Sequence, residues 1–130
     1  MIIKLKKGDN LIEKLTRIID ENKIDAGYIL GLGALSEAEL MLYDLDKKEY
    51  LSKKIQGPIE IGNFFSIISK DPEGKTHLHP HIVISNVDFI SYSGHLKQGV
   101  VGATFEAVIC PVDQKVERYF DSEIGLNLIK

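Results

Sequence analysis

The clearest periodicity in the chain lies near its N-terminus. Leu11, Ile12, Leu15, Ile18 and Ile19 recur at helical spacing and draw one apolar face of about three turns. Asn10 stands where an N-cap belongs, Glu13 follows three residues later as in a capping box, and Asn22 is placed to end the helix in the left-handed conformation. A short strand over residues 4–6 precedes the helix, with a turn at Gly8. Downstream the period falls to two. Tyr28-Ile29-Leu30 reads as a buried strand ending at Gly31-Leu32-Gly33-Ala34. Over residues 36–43, Ala38, Leu40 and Leu42 face one way and Glu37, Glu39, Met41 and Tyr43 the other. Lys47-Lys48 predicts a hairpin turn into a strand over 49–55, Gly57-Pro58 a break, and 59–69 a further strand. Asp71-Pro72-Glu73-Gly74 is a strong turn signal. Strands over 76–85, 89–93 and 100–110 follow, separated by turns at Asn86 and Lys97-Gln98-Gly99, with a last strand over 116–120. One helix and seven or eight strands predict an α+β fold on a mainly antiparallel sheet.

Composition narrows the class without naming a role. A chain of 130 residues is one domain by length, here residues 1–130, and 44% hydrophobic with 27% charged residues excludes a disordered tail, a coiled-coil rod or a collagen-like fibre. No apolar run is long enough to span a bilayer, and Met1-Ile2-Ile3-Lys4-Leu5-Lys6 lacks the stretch of a signal peptide, so a cytoplasmic location without membrane partners is expected. The lone Cys110 excludes an internal disulfide and a Cys-rich zinc site, and reads as a small buried hydrophobe. The net charge is −3, and only Arg17 and Arg118 are arginines among sixteen basic residues, a poor composition for a dedicated nucleic-acid binder.

The densest chemical signal is Thr76-His77-Leu78-His79-Pro80-His81, which carries three of the four histidines. On a strand His77, His79 and His81 share a face, and imidazoles two residues apart, about 6.5–7 Å at Cα, can reach one ion. His95, after Ser93-Gly94, is the natural third ligand from a neighbouring strand, giving a three-histidine site with an open position. The same pattern also suits a polar strand face. Pro80 cannot donate to a ladder, so the strand is expected at an edge or bulged there, which puts His81 in question. Glu106 lies inside the apolar strand Gly99-Val100-Val101-Gly102-Ala103-Thr104-Phe105-Glu106-Ala107-Val108-Ile109, and Glu60 inside Ile59-Glu60-Ile61. Each is a candidate to support a metal-bound histidine or to act as a base, or else an exposed position. Gly31-Leu32-Gly33 lacks the helix and third glycine of a dinucleotide fingerprint. Lys47, Lys48, Lys53 and Lys54 read as a solvated face.

Taken in order, the motifs resemble the PPC domain, the plant and prokaryote conserved domain. The matching stretches are Gly31-Leu32-Gly33-Ala34, Glu60-Ile61, His77-Leu78-His79, Gly94-His95-Leu96, Gly99-Val100-Val101, Thr104-Phe105-Glu106, and the tail Glu117-Arg118-Tyr119-Phe120-Asp121 with Gly125-Leu126. The resemblance implies a sheet of about seven strands with one main helix, assembling as a homotrimer. It implies a divalent metal, zinc first, on His77, His79 and His95; Glu106 and Glu60 are the candidate supporting groups or base, and His81, which the family pattern does not require, is a fourth ligand or a spectator. Family members with an Arg-Gly-Arg-Pro hook bind DNA; this chain has no such segment. The readings carried forward are a metal-binding trimer with a small-molecule ligand, a DNA-binding protein, a metal-dependent hydrolase or lyase, and a trimeric scaffold.

Overall fold

The computed structural model describes residues 1–130. In chain order the elements are β1 (Ile2–Lys6), α1 (Leu11–Glu21), β2 (Gly27–Asp44), β3 (Glu49–Lys70), β4 (Thr76–Ser85), β5 (Ser91–Pro111), β6 (Arg118–Asp121) and β7 (Leu126–Ile129). The helix forms where its periodicity places it. The Asn10 side chain accepts a hydrogen bond from the Glu13 N–H at 3.1 Å, and Leu11, Leu15 and Ile19 are buried. Its end differs from expectation: Asn22 keeps φ −93° and donates its side-chain N–H to the Ile18 carbonyl, while Lys23 takes the left-handed turn at φ 54°.

The strands number seven, as expected, but several are longer than the local signals predict. Residues 28–30 and 36–43 belong to one strand, β2; β3 runs straight through Gly57-Pro58, and β5 through Lys97-Gln98-Gly99. Pairing with β2 before and after these points holds β3 and β5 extended, and bulges take up the irregularities. Opposite β5, for example, Glu39 pairs with Gln98 and Leu40 with Leu96, so Lys97 is the extra residue. Gly33 marks another such place. Its φ is 147°, and a Cβ there would run into the Thr104 carbonyl oxygen of β5.

The sheet order is β1-β5-β2-β3-β4, all antiparallel, and β4 pairs again with the first residues of β5. The four long strands β2–β5 therefore close on themselves. β1 pairs with β5 farther along, and the start of α1 lies beside β5 through an Asn10–Val100 bridge. The core fills the inner face: Leu11, Leu15 and Ile19 of the helix meet Ile29, Phe64, Ile68, Ile82, Ile84, Leu96, Phe105 and Ile109 of the sheet. Phe64 and Phe105 meet edge to face at 5.3 Å. The hairpin β6–β7 forms a separate two-stranded ribbon, held to the main sheet by hydrogen bonds from the Lys70 N–H to the Val116 carbonyl and from the Tyr43 hydroxyl to the Ile124 carbonyl.

Candidate metal centre

Strand register decides which histidines meet. On β4 the alternation is unbroken: His77, His79 and His81 pair with Ser69, Ile67 and Phe65 of β3 without a shift. Pro80 does not bulge the strand. Its register partner is Ser66 on β3, and the second neighbour, β5, joins only from His81 onward, so the residue without an N–H sits where β4 has one neighbour. That same register places His81 directly opposite His95, and His79 becomes the diagonal neighbour. The ring centroids are 5.1 Å apart for His79–His81, 5.4 Å for His79–His95 and 5.6 Å for His81–His95. One ligating nitrogen from each of the three lies within 4.8 Å of the others.

The trio differs from the one expected by resemblance. The structure brings His81 together with His79 and His95, while His77 pairs with Ser69, farther from His95 along β4. His77 remains on the same face and lines an adjoining cavity. Gly94 serves as anticipated, since a Cβ there would come 2.9 Å from the Met41 carbonyl oxygen of β2 and hold the strands apart beside His95. Glu106 and Glu60 are not at the centre. Glu106 is exposed between Lys4 of β1 and Leu32 of β2, and Glu60 is exposed between Ala34 and Ser85. The carboxylate that is buried is Glu39, which accepts hydrogen bonds from the Lys97 ammonium at 3.1 Å and the Gln98 amide at 3.2 Å.

The electrostatics hold His77, His79 and His95 toward the neutral form, which is the form that binds metal. Burial, then the fields of His79, His81 and His77, pushes His95 down to about 4. Burial, then His81, Arg118 and His77, lowers His79; burial, then Arg118, lowers His77. No carboxylate joins the three rings. Three clustered imidazole nitrogen donors with an exposed side at His81 fit a borderline divalent transition-metal cation, with a coordination position left over.

Beside the triad lies a cavity of about 290 Å³, lined by Met41, Tyr50, His77, Leu78, His79, His95, Arg118, Leu126, Asn127 and Leu128. Its far wall is the β6–β7 hairpin, which local reading rendered as a single strand. Sequence reasoning missed Arg118 as a site residue. The available signal was that it is one of only two arginines in the chain, followed directly by Tyr119-Phe120.

A closed antiparallel sheet with one capped helix and a histidine cluster on its outer face defines a class of small α+β domain. The chain belongs to the Plants and Prokaryotes Conserved (PCC) domain family, whose model matches residues 1–113. It is similar to a metal-containing protein from Archaeoglobus fulgidus, with 30% identity, TM-score 0.91, and coverage of 100% of this chain and 91% of that one. It is also similar to a candidate DNA-binding protein from Bacteroides thetaiotaomicron, with 26% identity, TM-score 0.95, and coverage of 99% and 90%. A plant- and prokaryote-conserved protein from Pyrococcus horikoshii, at 23% identity, shares the fold with TM-score 0.92 over 100% of this chain and 90% of that one. No curated protein matches the chain. No helix is long and apolar enough to cross a membrane.

Proposed function

We propose that this chain is a homotrimeric metal-binding domain that holds a divalent transition metal, zinc first, on His79, His81 and His95, and presents it to a small ligand in the adjoining cavity. The observation that carries the reading is the approach of three imidazole nitrogens to within 4.8 Å of one another, contributed by two strands whose register brings His81 against His95. The similarity to a metal-containing archaeal protein agrees with it. A bound zinc would supply Lewis acidity at its open position. The protein's own part is to fix three imidazoles, to wall the cavity with Met41, Leu78, Leu126 and Leu128, and to place Arg118 and Tyr50 on its lining.

Assembly into a trimer rests on the family resemblance and on an exposed apolar strip. Val108, Leu30, Phe65 and His81 lie side by side in register across β5, β2, β3 and β4. Ile2 is 82% exposed and Leu32 58% exposed on the same side of the sheet. An apolar surface of this kind supports reading the strip as an interaction site, and in a trimer built on it the histidine cluster would lie at the rim of the subunit contact.

The hydrolase or lyase reading loses the bases it called on, since Glu60 and Glu106 stand elsewhere on the sheet. Against DNA binding stand the charge of −3 and the scarcity of arginine. The test is metal content by plasma mass spectrometry on untagged protein prepared without added metal and then titrated with zinc. Near one zinc per chain is expected. Loss in His79→Ala, His81→Ala and His95→Ala with retention in His77→Ala supports the triad. Retention in all four variants, or no uptake by the wild type, overturns it.

A further inference from the structure

Arg118 is a buried cation without a counter-ion. The residue is 5% exposed, and none of the chain's ion pairs includes it. Its Nε donates to the Ser69 hydroxyl at 2.8 Å and its Nη1 to the Asn127 carbonyl at 2.9 Å. Both partners are neutral, and Nη2 is buried with no partner at all. A guanidinium has five N–H donors, so three remain free, at the two-nitrogen end of the fork that matches a carboxylate. Desolvating a charge costs several kcal/mol unless it is paired, and a fold that retains such a group beside a cavity invites an anion into it.

The surroundings select the anion. Arg118 is the only lysine or arginine on the cavity lining, no glutamate or aspartate competes for it there, and the walls are largely Met41, Leu78, Leu126 and Leu128. One fixed positive charge in an apolar cleft suits a singly charged, planar oxyanion with a short carbon body better than a phosphate dianion, which gathers several cations or a helix N-terminus. The cavity of about 290 Å³ is of small-metabolite size. His79 and His95 share its lining with Arg118, so a ligand anchored on the arginine points its other end toward the histidine cluster.

We propose that Arg118 is the carboxylate-anchoring residue of a small-molecule site, and that the ligand class of this cavity is a short-chain organic carboxylic acid. The inference deepens the metal-site reading in that the two share one cavity, but the anchor itself does not require the metal. Arg118 also lies outside residues 1–113, the part matched by the family model, in the hairpin that closes the cavity.

The chain has two arginines, which makes the test direct. Arg17 is an exposed control, paired with Glu21 at 2.7 Å. Protein labelled with ¹⁵N gives two arginine Nε–H resonances, to be followed while butyrate, malonate, inorganic phosphate and, as a salt control, sodium chloride are titrated in. The series is run once on metal-free and once on zinc-loaded protein. The expected result is a saturable shift of the Arg118 resonance with the carboxylates in both forms, with Arg17 unmoved. Arg118→Lys, which keeps the charge and loses the fork, should weaken carboxylate binding at least tenfold by calorimetry while zinc content is unchanged. Absence of a saturable Arg118 shift in both forms overturns the proposal, as does a shift reproduced by chloride or a clear preference for phosphate. Zinc failing to bind while the carboxylates still shift Arg118 overturns the metal reading alone.

Discussion

Acidifying the metal-free protein from pH 7 to pH 4 destabilises it, and His95 carries a measurable share of the loss. The ring is half-buried, packed against Tyr50 with centroids 5.8 Å apart and surrounded by three other imidazoles, and it is held down to about 4 from the ordinary 6.5. The unfolded chain therefore takes up a proton on this residue before the folded chain does. The stabilising contribution is complete above about 6.5, shrinks as the pH falls, and is gone once the pH passes below about 4. At ~1.4 kcal/mol per pH unit the full shift corresponds to about 3–4 kcal/mol. The ring is partly open to solvent, and screening brings the expected effect to about 1–2 kcal/mol. Urea unfolding of metal-free wild type and His95→Phe at pH 7, 6, 5 and 4 isolates it, because carboxylates and the other histidines titrate in both proteins. The wild type should lose about 1–2 kcal/mol more than the variant across the range. Parallel loss in the two proteins would refute the claim that clustering and burial keep His95 neutral. In zinc-loaded protein the same acidification releases the metal, since protons compete for the ligating nitrogens.

Other consequences are open to direct measurement. Gly33→Ala places a Cβ against the Thr104 carbonyl at a φ of 147°, and a loss of about 2 kcal/mol or more in urea unfolding is expected. Ser69→Ala removes the acceptor of the Arg118 Nε; a loss of about 1–3 kcal/mol, the cost of a buried donor left unmade, should appear in thermal or urea denaturation. Leu32→Asp charges the exposed apolar strip, and light scattering coupled to size exclusion should show a species smaller than the wild-type assembly, with the circular dichroism of the monomer fold retained.

How much of this was legible along the chain depends on the range of the interaction that decides it. The helix was, cap included, because an apolar face and the Asn10 hydrogen bond to Glu13 are local. So was the mainly antiparallel sheet, because alternation over residues 36–43 and 76–85 reports which side chains share a face. The presence of a histidine cluster was legible too, since residues two apart on a strand point the same way. Membership of the cluster was not. His77, His79 and His81 are equivalent by parity, and only the pairing of His81 with His95, set by how β4 meets β5, chooses among them. The same holds for carboxylates: Glu106 and Glu39 both lie in apolar runs, and the neighbouring strands make one exposed and the other buried against Lys97 and Gln98. Gly57-Pro58 and Lys97-Gln98-Gly99 look like turns in isolation, yet the ladders to β2 before and after them carry the strands through. Arg118 shows the difference most plainly. One-dimensional pattern marks it only as one of two arginines, in a short strand. Folding the C-terminal hairpin over the outer face makes it a buried guanidinium on the wall of a cavity shared with His79 and His95, because only tertiary contact can remove its solvent without supplying a counter-ion.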